Sequence, residues 1–152
     1  MRVLLDSNIL LRSAQPSHSM YELASQATNE LVKRKVDLVC VPQTCYEFWV
    51  VATRPESANG LGLDVQTAAS EMVRLQQTLT FLNDPSSLFT EWLKLVKSYM
   101  VTGKRAHDAR LVAAMHLHQI TYILTLNQKD FIDFTSIKVA TPTDVLSFLT
   151  PF

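Results

Sequence analysis

The chain has 152 residues, 47% of them apolar and 18% charged, a balance that predicts one packed domain over 1–152 and excludes a disordered chain. Lys plus Arg equals Asp plus Glu at 14 each, so no global positive field advertises a polyanionic partner, and any ligand has to be argued from a local site. No apolar run approaches the ~20 residues that span a bilayer, and a carboxylate arrives as early as Asp6, which argues against a secretory leader; the expectation is a cytoplasmic protein with no membrane partner.

In chain order, Val3-Leu4-Leu5 reads as a short buried strand ending at Asp6. Ser19-x-x-Glu22 has the form of a capping box, and Leu23, Ala27, Leu31 and Val32 keep helical spacing to about Lys35. Asp37 to Val41 is a second strand, and Pro42 suits the first turn of a helix running through Glu47 to Ala52. Thr53 to Leu63, with Pro55, Asn59-Gly60 and Gly62, is a loop. Asp64 caps a helix through about Gln77, Leu79 to Leu82 is a short third strand, and Asp84-Pro85 opens a helix that reaches Met100 and stops at Thr102-Gly103. A helix from Ala106 to about His118 leads into the strand Tyr122 to Thr125; Ile137 to Val139 is a last strand, and Thr141-Pro142-x-Asp144 caps a final short helix. Strands alternating with helices predict an α/β three-layer sandwich, a central parallel sheet of four to five strands flanked by helices on both faces.

Three acids sit where acids are costly. Asp6 ends the first strand, and ligands of open α/β sheets bind at the carboxyl ends of strands; Asp6-Ser7-Asn8 also reads as an ordinary cap or turn. Leu111, Val112 and Met115 lie at i+3, i+4 and i+7 from Asp108, which places that carboxylate on the inward stripe of its helix. An unpaired buried carboxylate needs a cation, a metal or several donors; a salt bridge to Arg105 or Arg110 is the alternative to a ligand site. Glu47 lies in Tyr46-Glu47-Phe48-Trp49-Val50-Val51-Ala52, a helix apolar nearly all round. Hard cations such as Mg²⁺ and Mn²⁺ take carboxylate oxygens and keep several waters, so a few acids facing one cleft suffice, and phosphodiester hydrolysis at such a site needs no nucleophilic Ser or Cys.

Other residues carry less. Cys40 and Cys45 are too few for a disulfide framework and lack the further ligands of a zinc site, so buried thiols are expected. His116 and His118, two apart on a helix, do not face each other, and His107 projects about 100° away from Asp108. Trp49 and Trp92 have apolar helical neighbours and read as core before they read as base-stacking platforms. No Gly-rich phosphate loop is present among three glycines.

Taken together, Leu4-Leu5-Asp6-Ser7-Asn8-Ile9-Leu10, Gln43-x-x-x-Glu47-Phe48-Trp49-Val50-Val51, Thr53-Arg54-Pro55 with Asn59-Gly60-Leu61-Gly62, His107-Asp108-Ala109-Arg110-Leu111 and Leu124-Thr125-x-Asn127-x-x-Asp130-Phe131 resemble the PIN-domain family, particularly its toxin branch, over nearly the whole chain. The resemblance implies a metal-dependent endoribonuclease of a toxin-antitoxin system, acting on single-stranded RNA with Mg²⁺ or Mn²⁺. Asp6, Glu47 and Asp108 would be the catalytic and metal-binding acids, supported by the hydroxyls of Ser7 and Thr125. Where many members place a fourth acid this chain has Asn127, with Asp130 the nearest carboxylate; both are further candidate ligands, and Asp130 reads equally as an anchor for the turn before Phe131. A homodimer and a cognate antitoxin protein are the implied partners, with Arg54, Lys104 and Arg105 as candidate RNA contacts. The competing reading is an inactive PIN-like module that binds RNA or protein, favoured by Asn127. A receiver or phosphoaspartyl phosphatase, which needs a second acid beside the first, is not supplied by Asp6-Ser7-Asn8.

Overall fold

In a computed structural model, residues 1–148 are described. Five parallel strands form one sheet in the order β3-β2-β1-β4-β5, where β1 is Arg2–Leu5, β2 Asp37–Cys40, β3 Thr80–Phe81, β4 Tyr122–Leu124 and β5 Lys138–Ala140. Helices connect them: α1 (Ser7–Ser13), α2 (Tyr21–Lys33), α3 (Pro42–Thr53), α4 (Val65–Thr78), α5 (Leu88–Ser98), α6 (Arg105–Leu117) and α7 (Pro142–Leu146). The expected three-layer α/β architecture is what the chain adopts.

The period of two in the strands divides the core. Val3, Leu5, Leu38, Tyr122 and Leu124 point to one face, where they pack with Ile9, Leu31, Phe48, Leu75 and Val145 from α1, α2, α3, α4 and α7. Leu4, Val39 and Ile123 point to the other, against Leu88 and Leu95 of α5, Leu111, Val112 and Met115 of α6, and Phe131 and Phe134. Burial on both faces explains why Val3 to Leu5 of β1, Leu38 to Cys40 of β2 and Tyr122 to Leu124 of β4 read as unbroken apolar runs.

Chain direction reverses between β1 and β4: the connections run from β1 outward through β2 to β3 on one side, and through β4 to β5 on the other. In an open α/β sheet that reversal leaves a crevice at the carboxyl ends of the strands. Asp6 follows β1 there and Thr125 follows β4, tied by the Asp6 N–H donating to the Leu124 carbonyl at 3.0 Å. Because α6 runs back toward the start of β4, its first turn, with Asp108, lies at this same end.

Local signals fared unevenly. Asp64 caps α4 through the Thr67 N–H, and Thr141 with Asp144 forms the expected reciprocal box on α7. Asp6-Ser7-Asn8, read as a cap or turn, is a cap: the Asp6 carboxylate accepts the Ser7 N–H at the start of a helix, Ser7–Ser13, that buries Ile9, Leu10 and Leu11. Ser19 does not cap α2; the chain first turns at His18, whose Nδ1 accepts the Met20 N–H, and helix begins at Tyr21. Asp84 likewise does not open α5, which starts one turn later at Leu88, since its carboxylate is drawn to Arg110. The strand expected at 137–139 is shifted by one residue, with Ile137 joining the hydrophobic core beneath it. Gly60 has a plain reason: a Cβ there would lie 1.9 Å from the Arg54 carbonyl oxygen, so only glycine lets the loop close back on the end of α3.

Candidate functional site

Asp6 sits at the switch point with 6% exposure and is held from four directions. Its Oδ1 accepts from the Ser7 N–H at 2.7 Å and from Ser7 Oγ at 3.4 Å; its Oδ2 accepts from Asn8 Nδ2 at 2.7 Å and from the fully buried Thr125 hydroxyl at 2.6 Å. Thr125 Oγ1 also accepts from Asn8 Nδ2 and from the Asn127 N–H, both at 3.0 Å, and Asn8 Oδ1 accepts the Leu126 N–H. The loop after β4 and the start of α1 are thus stitched around one carboxylate. Burial raises the Asp6 pKa, with the charge of Glu47 adding to it, while the hydrogen bonds from Thr125 and Ser7 pull the other way.

Glu47 arrives from α3, whose start is fixed where Thr44 Oγ1 accepts the Val41 N–H and donates to the Val41 carbonyl. Its Oε2 accepts from Ser7 Oγ at 2.9 Å and its Oε1 from Gln43 Nε2 at 2.8 Å, so Ser7 bridges two acids. Gln43 Nε2 also donates to the His107 carbonyl at 2.9 Å, and Gln43 Oε1 accepts from Arg110, coupling α3 to the first turn of α6.

Asp108 stands apart in its solvation. Among the described residues no hydrogen-bond donor and no ion-pair partner within 4.0 Å reaches its carboxylate, and its pKa is pushed up to about 6. Burial is the main cause, followed by the negative charges of Asp130, Asp6 and Glu47; Arg105 opposes them weakly. A helix N-terminus ordinarily stabilises a carboxylate, so the raised value means that desolvation and three like charges outweigh the first turn of α6. The structure assigns neither Arg105 nor Arg110 as its salt-bridge partner. Arg105 pairs with Asp133 at 3.0 Å and lies over Phe134, and Arg110 pairs with Asp84 at 2.6 Å.

The acids read from the sequence therefore meet, and Asp130 joins them through its field on Asp108. Asn127 is exposed at its N–H···Thr125 turn, and its side-chain amide donates to Asp130, so it orients that carboxylate. Of the basic candidates, Arg105 lies near the cluster, and Lys104 is exposed beside it. Arg54 is exposed just after the last turn of α3, seven residues or about 10 Å of helix beyond Glu47. Sequence reading assigned no role to Asn8 or Gln43 and weighed Arg110 only as a salt-bridge partner of Asp108. Gln43 could have been found, lying one turn before Glu47 on the same face; Asn8 could not, since its partners are 117 and 118 residues away. His116 and His118 take separate partners, Glu91 with Ser136 and the Asn83 carbonyl. No helix among the described residues is long and apolar enough to cross a membrane.

The donor set fits a hard divalent cation. It is all oxygen, it carries an excess of negative charge, and one member, Asp108, has no internal donor. Among the described residues no group of three His, Cys, Asp or Glu side chains is placed to hold a metal ion; a cation held by one or two carboxylates plus water and substrate phosphate does not require one.

No protein-family profile and no curated protein matches the sequence. Solved structures do match in fold. VapBC2 from Rickettsia felis, bound to a promoter DNA fragment, superposes with a TM-score of 0.70 at 12% identity, covering 93% of this chain and 98% of that one. VapBC-1 from nontypeable Haemophilus influenzae gives 0.67 at 16% identity over 94% and 99%. VapC20 of Mycobacterium tuberculosis, a toxin that cleaves the sarcin-ricin loop, gives 0.61 at 13% identity over 86% and 93%. The chain shares the PIN fold of these toxins essentially from end to end.

Proposed function

We propose that this protein is a metal-dependent endoribonuclease of the toxin type, hydrolysing single-stranded RNA at the carboxylate cluster. The observation that carries the reading is Asp108: a carboxylate with no donor, facing Asp6, Glu47 and Asp130, is a charge arrangement that is costly unless a cation completes it. The shared fold with VapC toxins supports the same reading.

Asp6, Asp108 and Glu47 would hold Mg²⁺ or Mn²⁺, with Asp130 contributing charge in place of the acid that Asn127 lacks. When bound, such a cation lowers the pKa of an attacking water and neutralises charge on the phosphate and the leaving oxygen. The rest falls to the chain's own residues. Thr125 and Asn8 fix the Oδ2 of Asp6, and Ser7 and Gln43 fix both oxygens of Glu47, so neither acid has to reorganise when substrate arrives. Arg105, whose charge reaches Asp108, and the exposed Lys104 next to it in the chain would receive RNA phosphates that the acids alone would repel. A homodimer, a cognate antitoxin and a cytoplasmic location belong to the same reading, since VapBC assemblies share the fold.

The test is to incubate the protein with a mixed single-stranded RNA pool in Mg²⁺, Mn²⁺ or chelator, beside an Asp6→Asn, Asp108→Asn double variant. Metal-dependent cleavage lost in the variant is expected. Folded but equally inert proteins would leave a binding module, for which Asn127 is the specific argument.

A further inference from the structure

A second cleft, of about 520 Å³, opens beside the acids between α5 and the first turn of α6. It is lined by Leu88, Phe89, Trp92, Ala106, His107 and Arg110, and its size falls in the range of small-molecule sites. His107 and Arg110 also line the cleft that holds Ser7, Gln43 and Glu47, so the two clefts adjoin across those side chains. We propose that the α5–α6 cleft is a nucleobase-binding subsite for single-stranded RNA, placing a base beside the phosphate presented to the acids. The proposal rests on the nuclease reading for its substrate class.

Its walls are planar and fixed. Phe89 is 68% exposed, and its ring lies 5.5 Å from that of the half-buried Trp92 at an interplanar angle of 36°, a tilted pair whose Phe89 side is open to solvent. Trp92 Nε1 donates to the Ala106 carbonyl at 2.8 Å, which locks the indole onto the start of the helix that carries Asp108. The Arg110 guanidinium is held at two points, Gln43 Oε1 at 2.9 Å and Asp84 Oδ2 at 2.6 Å, so its plane is set before any ligand binds. Unstacked RNA bases are recognised by such aromatic and guanidinium planes, whose stacking tolerates any sequence. A polyanion entering beside Asp6, Glu47, Asp108 and Asp130 gains little from its backbone charge until a cation is bound, so contacts to its bases add affinity that the acids do not supply. An exposed aromatic pair supplies it without depending on charge. Helical spacing had made Trp92 a core residue, and its ring does pack against the core, while the exposed Phe89 one turn before it extends that aromatic surface to solvent.

The experiment uses the Asp108→Asn protein carrying Trp49→Phe, which leaves Trp92 as its single tryptophan. It is titrated with a short single-stranded RNA and with an abasic ribose-phosphate oligomer of equal length. Saturable quenching of Trp92 by RNA and none by the abasic oligomer is expected. Phe89→Ala should weaken RNA binding about tenfold with an unchanged salt slope, and Phe89→Tyr should restore it. Equal quenching by the abasic oligomer, RNA binding that leaves Trp92 emission unchanged, as when the cleft serves a protein partner, or an unaltered Kd in Phe89→Ala would each overturn the subsite. Cleavage by the otherwise unmodified protein is scored separately. Cleavage without quenching removes the subsite alone, whereas quenching in a protein that never cleaves supports the subsite and removes the nuclease.

Discussion

Acids in two regions of this molecule are treated differently. Around the flanks six have a cation: Asp37 with Arg2, Glu30 with Arg34, Glu71 with Arg74, Glu91 with Lys94 and His116, Asp84 with Arg110, Asp133 with Arg105. At the carboxyl ends of β1, β2 and β4, Asp6, Glu47, Asp108 and Asp130 form no ion pair among the described residues, and three of them raise the pKa of the fourth. The fold had cations to hand, since Arg105 and Arg110 lie in the same helix turn as Asp108, yet both are turned to flank acids. A net-neutral chain thus brings four acids without ion pairs into one another's field in one crevice. Concentrated, unsatisfied charge is a poor way to stabilise a fold and a good way to bind a cation.

Four measurements would break or sharpen that contrast, from the largest effect to the smallest. Asp108→Asn should lower the rate of RNA cleavage on the order of 10³-fold, since several kcal/mol of charge stabilisation are lost with the bound cation; a rate within a few-fold of the parent would place the chemistry elsewhere. Next, saturating Mg²⁺ or Mn²⁺ should raise Tm by several degrees, about 2.7 kcal/mol at a hundred times Kd, and should do so much less in Asp108→Asn.

Third, the metal-free protein should gain stability as pH falls from 7. The folded pKa of Asp108, about 6, lies above its ordinary 3.8, so its contribution is fully present below 3.8 and is lost as pH rises through 6. Because the group is only half buried, the loss at pH 7 is about 1–2 kcal/mol after solvent screening. Asp108→Asn should therefore melt a few degrees higher than the parent at pH 7 and show a flatter pH profile across this window; a lower Tm at pH 7 would mean that the site is not electrostatically strained. Last, Arg2→Ala, which breaks an exposed flank pair, should cost no more than about 1 kcal/mol and leave cleavage unchanged. A large effect there would erase the distinction between the regions.

How much could be read beforehand depends on the range of the interaction. The strands, α3, α4 and α6 were legible because apolar period and cap chemistry act within a turn or two. Helix α1 was not, since seven residues with a Ser-Asn start carry too little periodicity to outweigh their turn preference, and only burial of Ile9, Leu10 and Leu11 against the sheet makes them helical. Asp84 failed as a cap signal because Arg110, 26 residues on, competes for the same carboxylate.

What the sequence determined by itself was the alternation of strand and helix and the identity of the awkward acids: a carboxylate at a strand end or on an apolar stripe is visible from its neighbours. What only the tertiary structure decided was who surrounds those acids. The order β3-β2-β1-β4-β5 puts Asp6 beside Thr125, 119 residues away, brings the field of Asp130 onto Asp108, lets Gln43 join α3 to α6, and leaves Phe89 and Trp92 open beside them. Local propensity encodes elements because its forces act between near neighbours in the chain. The electrostatic balance of a crevice is a sum over groups that meet only once the sheet is assembled.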